Sequence, residues 1–296
     1  MYLADTPQVE QGFDFKGAVR QHALLWAGLA VVLIPTLVRL AQDNWTLEIG
    51  AHGPIVLATG LWLLWHTREE WQSKGSGPAP AWMLLAGSVL CAVVYAFGRG
   101  LGFLALEAVA AYGFVLLAFA CFIGIPGILR TAFPFLYLGF LVPLPGWVLD
   151  LLTGSLREWV SIAATGALQW LGYPVAREGV VIYIGPYQLL VEDACAGMNS
   201  LVGLTAIGMF YIFILHRANW KHALLLLAAI IPIAIVANLI RVIALILVTH
   251  YFGDGVAQGL FHDMAGIMLF ALSLGMMVGV DRATLAFAAW RQRARQ

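Results

Sequence analysis

Charge is the scarcest ingredient of this chain. Asp, Glu, Lys and Arg make up 11% of its 296 residues, against about 25% in ordinary soluble domains, and that deficit excludes a soluble globular fold. The 16 acidic and 16 basic residues cancel, so there is no global electrostatic case for a nucleic-acid partner. Cysteine is almost as rare. Cys91, Cys121 and Cys195 are too few for a disulfide framework, and the first two lie inside apolar runs, where they read as small core hydrophobes. The start of the chain lacks the charged opening, short apolar core and small-residue cleavage site of a signal peptide, so the first apolar segment is expected to stay as a span. Familiar metal-ligand spacings are missing too. His250, Asp254, His262 and Asp263 come nearest, and neither a metal nor a cofactor is expected.

What the chain has in abundance is apolar length: 61% of residues are hydrophobic and mean hydropathy is +0.87. The expected fold is an all-α polytopic membrane protein with about eight transmembrane helices. The apolar stretches are residues 22–41 (with Pro35 inside), 47–66, 81–97, 101–123, 128–142, 198–215, 222–248 and 264–280. Most are long enough to cross ~30 Å of hydrocarbon at 1.5 Å per residue. Trp62, Trp65 and Trp71 suit a headgroup-level belt, and residues 68–80 form the clearest linker. Two segments break the pattern. From Trp147 to Gly172, Asp150, Arg157, Glu158 and Gln169 recur among apolar residues, which predicts an amphipathic helix lying at the interface. From Val175 to Val191, two β-prone runs flank Gly185-Pro186, which predicts a small extracytoplasmic β-hairpin. Residues 1–146 are expected to form an N-terminal set of about five spans, and 147–296 a catalytic part with the interfacial helix, the hairpin and three spans.

Eight spans with both termini cytoplasmic put Lys16, Arg20, Arg68, Lys74, Arg130, Arg217, Lys221, Arg282, Arg291, Arg293 and Arg295 inside. Only Arg39, Arg99, Arg157 and Arg177 fall outside, in accord with the positive-inside rule. Glu107 and Arg241 lie within spans, where a charge must face protein or water. In this topology Cys195, at the start of the sixth span, and His262, at the start of the eighth, share the outer face. Arg241 lies in the outer half of the long seventh span, and the remaining histidines, His222 among them, read as interfacial.

The chemistry of these types is complementary. A cysteine just before a helix feels the positive end of the helix dipole, and a nearby arginine strengthens that field, favouring thiolate. A histidine can take up its proton and later protonate a leaving amine. Guanidinium does not deprotonate, so Arg241 either holds the thiolate or stabilises an oxyanion. Glu192 and Asp193 would oppose thiolate formation and are expected to point away from the sulfur. Each residue also has a plainer role: an inert thiol, an arginine paired with Glu107 for assembly, a polar helix cap.

The segment Val191-Glu192-Asp193-Ala194-Cys195-Ala196-Gly197-Met198-Asn199-Ser200 resembles the Cys-Ser-Gly signature of the exosortase/archaeosortase family. Asn238-Leu239-Ile240-Arg241 is similar to that family's Asn-x-x-Arg segment, and His262-Asp263-x-x-Gly266 to its C-terminal histidine motif. The resemblance covers about Pro143 to Val280, with Ala196 standing where the family usually has Ser. It implies a membrane-integral cysteine protease or transpeptidase of the bacterial cytoplasmic (inner) membrane, acting at its outer face. Its partners would be the lipid bilayer and membrane-anchored substrates whose C-terminal sorting signal joins a Pro-Glu-Pro-like motif to a transmembrane helix and basic tail. Cys195, Arg241 and His262 would be catalytic, with Gly197, Asn199, Ser200 and Asn238 supporting or binding substrate. The rival functions are a transporter whose polar path includes Glu107 and Arg241, and a noncatalytic membrane component of exopolysaccharide or envelope assembly.

Overall fold

The computed structural model describes residues 22–47, 50–73, 77–190, 196–216, 219–257 and 259–294, with side chains excluded at 149, 152–153, 196–201, 216, 254, 260–263, 265–267 and 269–270. Its helices are α1 (Ala23–Asp43), α2 (Gly53–His66), α3 (Arg68–Ser73), α4 (Ala81–Leu101), α5 (Leu104–Arg130), α6 (Ala132–Leu138) and α7 (Gly146–Trp170). After a small sheet follow α8 (Ala196–His216), α9 (Trp220–Phe252), α10 (Asp254–Ala257) and α11 (Leu260–Arg293). Among the described residues, five helical segments are long and apolar enough to cross a membrane: Ala23–Asp43, Ala81–Leu101, Leu104–Arg130, Trp220–Phe252 and Ala271–Arg293. The segments Gly53–His66, Ala132–Leu141 and Val202–Leu215 are apolar but shorter. The expected eight apolar stretches thus all form helix, five of them of spanning length. The protein is a multi-pass, mostly helical membrane protein.

Two compact units divide the chain. One comprises the described residues of Met1–Leu40 together with Trp62–Phe135, the other Ala41–Leu61 with Leu136–Gln296. In the first, α4 and α5 pair along a seam of small residues, Ala108, Ala111 and Ala118 being buried on α5. This is how membrane helices approach closely when hydrophobic exclusion of water offers no help. Gly102, left-handed at φ 75°, caps α4 by donating its N–H to the Gly98 carbonyl and turns the chain straight into α5. That turn carries Arg99 back towards Glu107. The Glu107 carboxylate is fully buried and accepts from Arg39 at 2.5 Å, Arg99 at 2.8 Å and the Thr36 hydroxyl at 3.0 Å. The expectation that this charge faces protein holds. It lies in the first turn of α5, not deep in a span, and its partners are Arg39 and Arg99 in place of Arg241. Cys91 is half-buried with its sulfur against Gly113.

In the second unit α7 is one continuous helix with two apolar faces. Val160, Ala164 and Leu168 are buried, while Trp147, Trp159 and Trp170 are exposed on the other side, where indole rings suit the membrane interface. The expected hairpin is present and larger than expected. Strands β1 (Val175–Glu178), β2 (Val181–Ile184) and β3 (Tyr187–Leu190) form an antiparallel meander. Ile182 pairs with both Arg177 and Leu189. Gln169 Nε2 donates to the Val175 carbonyl at 2.9 Å and Ser161 Oγ to that of Gly179 at 3.2 Å, fixing the sheet to α7.

Candidate active site

Arg241 is the best-defined part of the site. Asn238 and Arg241 are 2% and 5% exposed and, three residues apart, share one face of α9. That face is a continuous buried stripe that changes partner midway. Towards its start, Leu226, Ile230 and Ile233 join Leu204 and Ile212 of α8 and Met277 of α11 in one core cluster. Towards its end, Val242, Leu245 and Ile246 join Val160, Ala164 and Leu168 of α7 and Val175, Ile182 and Ile184 of the sheet in another. Ala237, Asn238 and Arg241 lie between the two clusters and belong to neither. The polar pair therefore occupies the seam where a three-helix bundle gives way to a helix-and-sheet cover.

Cys195 precedes α8 in sequence and lies outside the described residues, as do Glu192 and Asp193, so the expected orientation of those carboxylates is not part of the geometry. Gly197, Asn199 and Ser200 form the opening turns of α8 and His262 the first turn of α11, each by its backbone alone. Residue counting along the helices brings these positions into register. Helix α8 packs antiparallel on α9, joined by residues 217–219, and a methyl group on Gly208 would meet Ile230 Cδ1 at 2.8 Å, so these two positions face each other closely. Arg241 is eleven residues beyond Ile230, and Gly197 is eleven residues before Gly208, so both lie about 16 Å from that contact by helical rise. At the opposite end of the bundle His222 Nε2 and Asp281 Oδ1 are 2.7 Å apart. Nineteen residues separate His222 from Arg241 on α9, and nineteen separate Asp281 from His262 on α11, about 28 Å in each case. The start of α8, the Arg241 position and the backbone of His262 thus share one level of the bundle.

Strand β3 packs on α9 and ends at Leu190, and α8 begins at Ala196. Above that level α9 continues to Phe252. There the Tyr251 and Tyr173 hydroxyls are 2.9 Å apart, and this hydrogen bond, more than burial, raises the Tyr173 pKa. Near the opening turns of α8 a small pocket is lined by Trp45, His52, Phe140, Pro143 and Val202, with His52 Nε2 bonded to the Phe140 carbonyl at 3.2 Å.

His222, read as interfacial, does lie in the first turn of a spanning helix, but its side chain is 11% exposed and pairs with Asp281, whose other oxygen accepts from the Tyr211 hydroxyl at 2.7 Å. A lone carboxylate ending an otherwise apolar run, in a chain with few charges, was the signal available for this cluster.

The fold and site define a polytopic membrane protein with a buried Asn–Arg pair beside the start of one helix. A family model described as transmembrane exosortase (Exosortase_EpsH) matches residues 45–279, and the chain belongs to this family. No curated protein and no solved structure matches it.

Proposed function

We propose that this membrane exosortase is a cysteine protease or transpeptidase that cuts exported proteins bearing a C-terminal sorting signal, at the outer face of the cytoplasmic membrane. The observation that carries this reading is the common level of three elements: the helix start that follows Cys195, the seam holding Asn238 and Arg241, and the first turn of α11 with His262.

The thiolate of Cys195, favoured by the α8 dipole and the Arg241 charge, attacks the substrate carbonyl carbon. The carbonyl π pair moves to oxygen, and Arg241 stabilises the resulting oxyanion. As the tetrahedral intermediate collapses to a thioester, the C–N bond breaks and His262 gives the departing amine its proton. Water or an amine acceptor then attacks the thioester, losing a proton to His262 and returning the sulfur as thiolate. Asn238, one turn from Arg241, orients the guanidinium or the substrate. Gly197, Asn199 and Ser200 line the approach, and Ala196 has no hydroxyl to contribute.

A conduit is less well supported. A transport path needs polar groups along its depth, whereas Glu107 is enclosed by Arg39, Arg99 and Thr36 in the first turn of its helix. The test is coexpression of Cys195→Ala with a tagged sorting-signal protein. Processing is expected to stop, and trimming at the wild-type rate would end the protease reading.

A further inference from the structure

The cluster of Tyr211, His222 and Asp281 lies about 28 Å from the candidate site and plays no part in the chemistry above. It joins three helices through one carboxylate: His222 opens α9, Asp281 lies two-thirds along α11, and Tyr211 lies in the last turns of α8. Asp281 is 5% exposed, with Oδ1 against His222 Nε2 and Oδ2 accepting from Tyr211, each at 2.7 Å. The Thr284 hydroxyl bonds the Asp281 carbonyl at 2.8 Å, holding the local helix turn. Beyond this cluster Leu226, Ile230, Ile233 and Met277 pack together, with Gly208 closely facing Ile230, and apolar contacts of this kind yield to a shift of part of a turn more readily than hydrogen-bonded groups do. A buried hydrogen-bonded cluster resists it, because a shift leaves polar groups without partners.

We propose that Tyr211, His222 and Asp281 are positioning residues that set the axial register of α8, α9 and α11, and so hold the start of α8, Arg241 and the first turn of α11 at one level. This rests on the protease reading for its functional meaning but not for its geometry. The equal nineteen-residue spacings on α9 and α11 make the argument specific. With His222 and Asp281 locked, Arg241 and His262 coincide in height, and a slip of one residue separates them by about 1.5 Å. A misplacement of that size in a catalytic constellation costs on the order of 10²-fold in rate.

The test reads geometry directly. In a chain with Cys91→Ala, Cys121→Ala and His262→Cys, a short bis-methanethiosulfonate reagent, whose two ends each form a disulfide with a cysteine and release methanesulfinate, is applied to native membranes to join Cys195 to position 262. Crosslinking is expected with the cluster intact, to be largely lost with Asp281→Ala, and to return when His222→Asp and Asp281→His are combined, since the exchange restores the pair at the same height. If Asp281→Ala does not accumulate, Asp281→Asn, which retains a hydrogen-bonding side chain, takes its place and is expected to crosslink partially. Protein level and helical content by circular dichroism identify the variants that stay folded. Undiminished crosslinking in folded Asp281→Ala or Asp281→Asn overturns the proposal, as does no crosslinking with the cluster intact. Crosslinking that depends on Asp281 upholds it even if Cys195→Ala leaves processing untouched, a result that would defeat only the protease reading.

Discussion

Arg241 joins a permanent charge to 5% exposure on a membrane helix, a combination that is costly unless the charge has work to do. Lysine keeps the charge and loses the planar fork. Arg241→Lys is therefore expected to lower the processing rate by about 10²-fold while leaving protein levels near normal, as read by quantitative blotting of trimmed substrate. Glu107 gives the opposite pattern. Glu107→Gln leaves Arg39 and Arg99 facing each other without their carboxylate. It should destabilise the protein by about 2 kcal/mol, the usual loss for breaking a buried pair being reduced because both arginines are partly exposed, and thermal unfolding in detergent would report it. A residue whose type is rare in its setting was legible in the sequence, as Arg241 within a span shows by its burial. The Tyr211–His222–Asp281 cluster was not, because each member taken singly looks like an ordinary helix-end residue and only tertiary packing joins them.

Among the elements, the hydropathy pattern located every long helix but not its ends. An apolar run was expected to finish at Val280, yet α11 continues to Arg293, because Asp281 finds partners on two neighbouring helices and the helix need not stop for it. By contrast, the expected break at Ile125-Pro126-Gly127 is present: α5 is two helical pieces meeting at a kink at Gly124, where glycine tolerates φ 70°, and the second piece ends at Arg130. The β2–β3 hairpin was legible from Gly185-Pro186. β1 was not, since Val-Ala-Arg-Glu has weak strand propensity and is recruited by pairing with Val181–Ile184. Close helix contact yields a further expectation. Gly208→Val forces side-chain atoms into Ile230 and should cost about 1–3 kcal/mol by overpacking. Thermal unfolding should register it, with processing falling further than the stability loss alone explains, as α8 moves off α9.

For the molecule as a whole, the topology proposed from the charge distribution would make Cys195 accessible from outside. In intact cells a membrane-impermeant thiol reagent is expected to label wild-type protein but not Cys195→Ala, and labelling only after lysis would reverse the orientation. The lengths of the helices then acquire a meaning for the substrate. Helix α8 has 21 residues, about 30 Å, which is the thickness of the hydrocarbon layer. Helix α9 has 33 and rises well past it. On the proposed function the bundle would act as a ruler, running from the end of α8 at His216 back to its start at Ala196, one membrane thickness away. Substrates would be chosen by how far their scissile bond stands from the inner surface as well as by their motif. Adding four residues to a substrate's transmembrane helix, about 6 Å, should abolish cleavage or move it to another bond, as mass spectrometry of the released ends would reveal.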